Sequence, residues 1–313
     1  MKKNLFLELD IRFIFLVGML IVLPSLEALK NVFAFLFFLS FIYIAFKNKD
    51  WHGDWKVIDT IFALWIIADL FVSLNAIIAH QLPGGNFRDI IRFVLIAWAL
   101  SRIKLANDKI ILASLVAVVA TALSILYSYL IVDDGRLIEL HSVGHVNHTA
   151  IFLVIAYAIA LPLLLFKFGS LNFFKKLVLI LTTLILFYTS IETGSRAGFA
   201  LTIVVSVLNL LYFMTRLRKI SHIAIILAVV IAVFLHGFFN PPKGLNRIIK
   251  QDHIFDLSGR SGINEFSHYA FKTNPLFGVG FGNHGSIKIA DIKSSIIKDK
   301  GFFDESLYTP SSH

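Results

Sequence analysis

Residues 110–132 read IILASLVAVVATALSILYSYLIV. The stretch holds no Asp, Glu, Lys or Arg. A helix of about twenty apolar residues is what crosses roughly 30 Å of hydrocarbon, so this run predicts a membrane span. Similar runs lie on both sides of it. Before it come 13–26, 29–46, 57–78 and 90–100, and after it 149–168, 177–191, 197–215 and 220–239. The expected fold is therefore all-α: a polytopic transmembrane helix bundle of about nine spans over 1–239. The runs at 13–26 and 90–100 are short, and the second is expected to extend back through Arg88, with its arginines facing protein or water.

Composition supports the same class. Apolar residues make up 57% of the chain and charged residues 16%, against about a quarter charged in soluble domains. Mean hydropathy is +0.79. A two-residue alternation is absent, which speaks against a β-barrel. The chain has no cysteine, which excludes disulfides, thiolate metal sites and cysteine nucleophiles. The first apolar run has no small-residue cleavage site and is followed at once by another, so it reads as a retained helix rather than a signal peptide.

The net charge is +9. In a soluble protein this would suggest nucleic acid. Here the basic residues sit in short connections between apolar runs and report orientation instead. With a cytoplasmic N-terminus, the inner connections hold five groups of three: Lys2, Lys3, Arg12; Lys47, Lys49, Lys56; Arg102, Lys104, Lys109; Lys167, Lys175, Lys176; Arg216, Arg218, Lys219. The outer connections hold Lys30, Arg88, Arg136 and Arg196. Nine spans then place 240–313 outside the cytoplasm. That segment holds Gly and Pro and no run long enough to span, so short helices and turns on the outer membrane surface are expected.

Charges within spans need partners or tasks. Arg88 and Arg92 are four apart and share a helix face, and Asp69 lies in the third span. Either Asp69 and Arg92 lock two helices as an ion pair, or the arginines line a cavity for an anion. The guanidinium fork suits phosphate because it stays charged and donates two parallel hydrogen bonds. Arg196 stands in Thr193-Gly194-Ser195-Arg196-Ala197-Gly198 at the start of the eighth span. It could snorkel to the interface, or join a helix N-terminus in holding an anion. Glu139, His141, His145 and His148 fit no firm zinc spacing, and surface hydrogen bonding is the expectation there. Gly278-Val279-Gly280-Phe281-Gly282 lacks the preceding strand of a nucleotide loop and reads as a turn.

Three segments, taken together, resemble the O-antigen ligase and polymerase family of bacterial envelope glycosyltransferases. They are Ser142-Val143-Gly144-His145-Val146-Asn147-His148-Thr149-Ala150; Thr193-Gly194-Ser195-Arg196; and Gly259-Arg260-Ser261-Gly262-Ile263 with its continuation Asn274-Pro275-Leu276-Phe277-Gly278-Val279-Gly280. The resemblance covers the chain from about residue 60 onward. It implies a GT-C-like bundle of about twelve helices, with a large outer loop carrying an arginine, matched by Arg260, and a later histidine. The chain stops at Ser311-Ser312-His313, where that histidine motif begins in the family. Part of the periplasmic loop and the last helices are thus expected to be missing, and 240–313 reads as an incomplete loop segment.

The resemblance further implies a donor polysaccharide on undecaprenyl pyrophosphate and, for a ligase, the lipid A-core as acceptor. It implies work at the periplasmic face of the inner membrane, in contact with membrane lipid, and without nucleic acid or a cofactor. A metal-independent, inverting transfer follows, with no metal ligands assigned. Arg196 and Arg260 are the expected pyrophosphate-binding and catalytic cations, Arg88 and Arg92 support them, and His313 is the candidate base. A polymerase of the same family shares these features. A lipid-linked oligosaccharide flippase would be expected to show repeats and broken helices, and neither is present in the sequence. An inactive remnant is the third alternative.

Overall fold

A computed structural model describes residues 10–49, 53–81, 87–131, 138–143, 145–167, 169 and 171–216, together with 267–268, 271–272, 274–276 and 278. Among the described residues there are eight α-helices and no strand. They are α1 (Ile11–Val22), α2 (Glu27–Asn48), α3 (Val57–His80), α4 (Phe87–Arg102), α5 (Asn107–Ile131), α6 (Val146–Lys167), α7 (Phe173–Glu192) and α8 (Arg196–Arg216). The expected span at 220–239 lies outside the described residues.

Six of these helices, α2, α3 and α5 to α8, are long and apolar enough to cross a membrane. The other two are shorter than the expectation of full spans. The twelve residues of α1 rise about 18 Å, well short of the roughly 30 Å of hydrocarbon. The sixteen residues of α4 do extend back through Arg88, as its pattern suggested. The chain is a polytopic helical membrane protein.

Side chains set the helix starts. Asp10 caps α1, its Oδ1 accepting from the Arg12 amide at 3.1 Å. Asn172 caps α7, its Oδ1 accepting from the Lys175 amide at 3.0 Å. Each cap satisfies one amide that the helix itself leaves without a partner.

The described helices fall into two compact units. The first holds α1, α2 up to Tyr43, and α5 to α8. In it α6 packs on α5, α7 and α8, and α1 packs on α5. Its core joins Val118 and Ile125 of α5, Leu153 and Tyr157 of α6, Leu186 of α7 and Phe213 of α8. Hydroxyls bond across the same core: Tyr157 to Ser206 at 2.8 Å and Ser190 to Thr202 at 2.9 Å. In hydrocarbon such pairs hold helices together, since apolar contact with a neighbour gains little over contact with lipid. Phe35, Leu130 and Leu208 are exposed on this unit, as lipid-facing side chains would be. The second unit holds the end of α2, with α3, α4 and the short described pieces after residue 266. Here α3 packs on α4.

Candidate functional site

The Thr193–Gly198 segment forms a tight helix-to-helix corner, and each residue has a physical reason. Thr193 is fully buried and its hydroxyl donates to the Ser190 carbonyl at 2.9 Å. Gly194 adopts φ +67°, the left-handed conformation with which a helix often ends and which glycine adopts without steric cost. Its amide donates to the Ile191 carbonyl at 3.1 Å. Ser195 then caps α8, its Oγ accepting from the Gly198 amide at 3.3 Å. Arg196 is therefore the first residue of α8. It is half-buried, in the turn where amide donors and the positive end of the helix dipole gather.

The corner meets the first motif directly. A Cβ added at Gly198 would stand 2.8 Å from the Ala150 Cβ, so α8 and α6 touch where both begin. Above this contact, residues 138–143 fold over the start of α6. The Leu140 amide donates to Thr149 Oγ1 at 3.1 Å, and the Val146 amide to Glu139 Oε1 at 3.3 Å. Lys30, from the first turn of α2, donates to Ser142 Oγ at 2.9 Å and to the Ser142 carbonyl at 3.3 Å. Two segments that are separate in sequence thus form one polar end of the first unit, with Arg196 in it.

The histidines at this end face outward. His141, His145 and His148 are exposed. His145 Nδ1 accepts from the Asn147 amide at 3.2 Å, and the His145 and His148 rings stand edge-on with centroids 6.2 Å apart. Among the described residues, no three His, Asp or Glu side chains gather as a metal ion would require.

Residues 181–306 match the model of the O-antigen ligase family. Over those residues the chain is similar to the O-antigen ligase family. No curated protein and no solved structure matches it. The O-antigen ligase match begins within α7 and takes in the Thr193–Gly198 corner, Arg196, all of α8 and Arg260. Segment 142–150, Arg88, Arg92 and His313 lie outside the matched range.

Arg88 and Arg92 belong to the second unit. Arg88 is exposed. Arg92 pairs with Asp89 one turn earlier on α4, at 3.1 Å, and its guanidinium lies 5.2 Å from the centre of the Phe93 ring. The alternative of an Asp69–Arg92 lock is not realised: an aspartate on the same helix lies closer to hand. Asp69 Oδ2 and Ser73 Oγ are instead buried one turn apart on α3, with no hydrogen-bond partner. Arg260 and His313 lie outside the described residues.

The sequence reading missed the strongest polar cluster of this unit. It counted Arg102 as a charge of an inner connection. Arg102 is buried at the end of α4 and pairs with the buried Asp59 of α3 at 2.5 Å. It also donates to the carbonyls of Gly53 and Asp54 at 3.0 and 2.8 Å. Trp98 Nε1 donates to Asp59 Oδ1 at 2.8 Å, and the Lys56 amide to Asp59 Oδ2 at 2.6 Å. Two antiparallel neighbours, one starting with Asp and one ending with Arg, were the available signal. In the same unit Asn75 of α3 donates to the Gly278 carbonyl at 3.1 Å. This ties a span to the Asn274–Gly278 turn of the third motif, where Gly278 has φ +60°; the turn expected over 278–282 otherwise lies outside the described residues.

Proposed function

We propose that this protein is an O-antigen ligase-like glycosyltransferase of the bacterial inner membrane. It would transfer a polysaccharide from undecaprenyl pyrophosphate to the lipid A-core at the periplasmic face. The observation that carries this reading is Arg196. It lies within the family match, at the capped start of α8, on the polar end where α8 meets the 142–150 segment.

The chemistry asks for cations. An acceptor hydroxyl oxygen attacks the anomeric carbon, the bond from that carbon to the pyrophosphate oxygen breaks, and negative charge builds on the departing undecaprenyl pyrophosphate. The hydroxyl proton goes to a base, for which His313 is the residue assigned by resemblance. Attack opposite the leaving group inverts the anomeric centre. Preorganised donors aimed at developing charge, shielded from water, contribute most in such a step. Arg196 takes that role, with Arg260 assigned alongside it and Arg88 and Arg92 in support. The N-terminus is proposed to be cytoplasmic, on the distribution of Lys and Arg between alternate connections.

The test is genetic and chemical together. The gene is deleted and replaced by wild type, Arg196→Ala or Arg196→Lys, and polysaccharide attached to lipid A-core is measured. Loss of one such donor typically costs about a hundredfold or more in rate. Arg196→Ala should therefore abolish attachment, and Arg196→Lys should restore part of it, since the charge remains but the fork does not. Polymerised polysaccharide left on the lipid carrier in the deletion strain supports a ligase. Attached single repeats would make the protein a polymerase. Unchanged attachment in Arg196→Ala removes Arg196 from the site.

A further inference from the structure

Lys30 was counted only as one charge in an outer connection, yet its surroundings differ from those of an ordinary surface lysine. It is half-buried in the first turn of α2. Both of its hydrogen bonds go to one residue, Ser142, through the hydroxyl and the carbonyl. An ammonium has three N–H donors, so one is left over. Among the described residues, no carboxylate comes within ion-pair distance of Nζ. A positive charge partly withdrawn from water and held by neutral oxygens keeps its attraction for an anion.

Its place in the fold gives that anion a location. Ser142 belongs to the segment that folds over the start of α6 through Leu140 and Thr149. The next residue of α6, Ala150, meets Gly198 of the α8 corner, two positions beyond Arg196. Lys30 and Arg196 therefore serve the same polar end of the first unit. We propose that Lys30 is an additional phosphate-binding cation of this end, presented by Ser142 and directed at the pyrophosphate of the lipid-linked donor. The proposal rests on the functional reading above. A phospholipid headgroup offers the same phosphate chemistry from a different source, and the test separates the two.

The experiment uses the full 313-residue chain in neutral detergent. Thermal unfolding is followed at rising inorganic pyrophosphate, and separately at rising phosphatidylglycerol in the micelles. Lys30→Met, Lys30→Arg, Ser142→Ala and Arg196→Ala are compared with wild type. Pyrophosphate is expected to raise the melting temperature of the wild type. Lys30→Met should need about tenfold more pyrophosphate for the same rise, the weight of one charge-assisted hydrogen bond. Lys30→Arg keeps the charge and should stay close to wild type. Ser142→Ala loses the hydroxyl contact but keeps the carbonyl contact and the charge, and should be affected much less than Lys30→Met. Equal weakening in Lys30→Met and Ser142→Ala would make the contact a structural tie and overturn the proposal. So would wild-type pyrophosphate binding in Lys30→Met beside lost binding in Arg196→Ala; the functional reading would then stand without Lys30. Dependence on Lys30 for phosphatidylglycerol alone would assign the lysine to a headgroup and overturn it likewise. No response of the wild type to pyrophosphate would remove the functional reading and Lys30 with it. Should Lys30→Met fail to fold, Lys30→Arg and Ser142→Ala decide: a phosphate contact requires both to retain binding, and loss in Ser142→Ala refutes it.

Discussion

Gly198→Ala is the substitution whose consequence follows most directly from the geometry. The new Cβ would stand 2.8 Å from Ala150 Cβ, 3.4 Å from Ser195 Cβ and 3.7 Å from Ala150 Cα. The Ala150 methyl is short by about 0.6 Å of ordinary contact at 3.4 Å, and it cannot rotate away because it is fixed to the α6 backbone. The two helices must separate, and Ala150 is fully buried between its neighbours. Overpacking of this kind costs about 1–3 kcal/mol. For chains of 150–250 residues a kilocalorie moves the melting temperature by about 2–4 °C, so the overpacking alone corresponds to a fall of roughly 2–12 °C for Gly198→Ala in detergent, part of it offset by the helix propensity that alanine gains. The control is the exchange Ala150→Gly with Gly198→Ala. It moves one methyl from α6 to α8 and leaves the summed helix propensities unchanged, because glycine costs about 1 kcal/mol relative to alanine in either helix. The exchange should melt close to wild type and well above the single variant. An exchange no better than the single variant would refute the α6–α8 contact on which the joined motifs depend.

Three more predictions concern the units separately. Arg102→Met leaves the buried Asp59 without its charged partner, whereas Asp89→Asn removes only a half-exposed pair on α4; the first should lower the melting temperature clearly and the second hardly at all. Gly194→Ala puts a side chain at φ +67° and should cost about 1–2 kcal/mol, read as a lower melting temperature, with Gly194→Asn less affected. Burial raises the Asp10 carboxyl, but the hydrogen bonds and charge of Arg12, with the charge of Lys109, outweigh it and hold the group below its ordinary 3.8. Asp10 is therefore stabilising as an anion at neutral pH, and this contribution is lost as pH falls below 3.8 through the folded value. Melting temperature followed on acidification should drop less steeply in Asp10→Asn than in wild type; identical slopes would show that Asp10 contributes nothing.

Several features were legible along the chain because they depend on local order alone. Runs of about twenty apolar residues dictate spans wherever water is excluded, and α2, α3 and α5 to α8 followed from them. The Thr193–Arg196 corner was located, and Arg196 with it, as the start of the eighth apolar run, because where a run begins is a matter of local order. Lys30 and Ser142, Ala150 and Gly198, and Asp59 and Arg102 could not be paired that way. Each pair joins elements far apart along the chain, and hydropathy records how far a helix extends into lipid but not which side it turns to its neighbour. Arg92 shows the limit in the other direction: it was offered Asp69 across helices and took Asp89 on its own. Which charged groups pair, and which motif residues stand together, was decided by packing, because a charge acts only on what lies within a few ångströms of it.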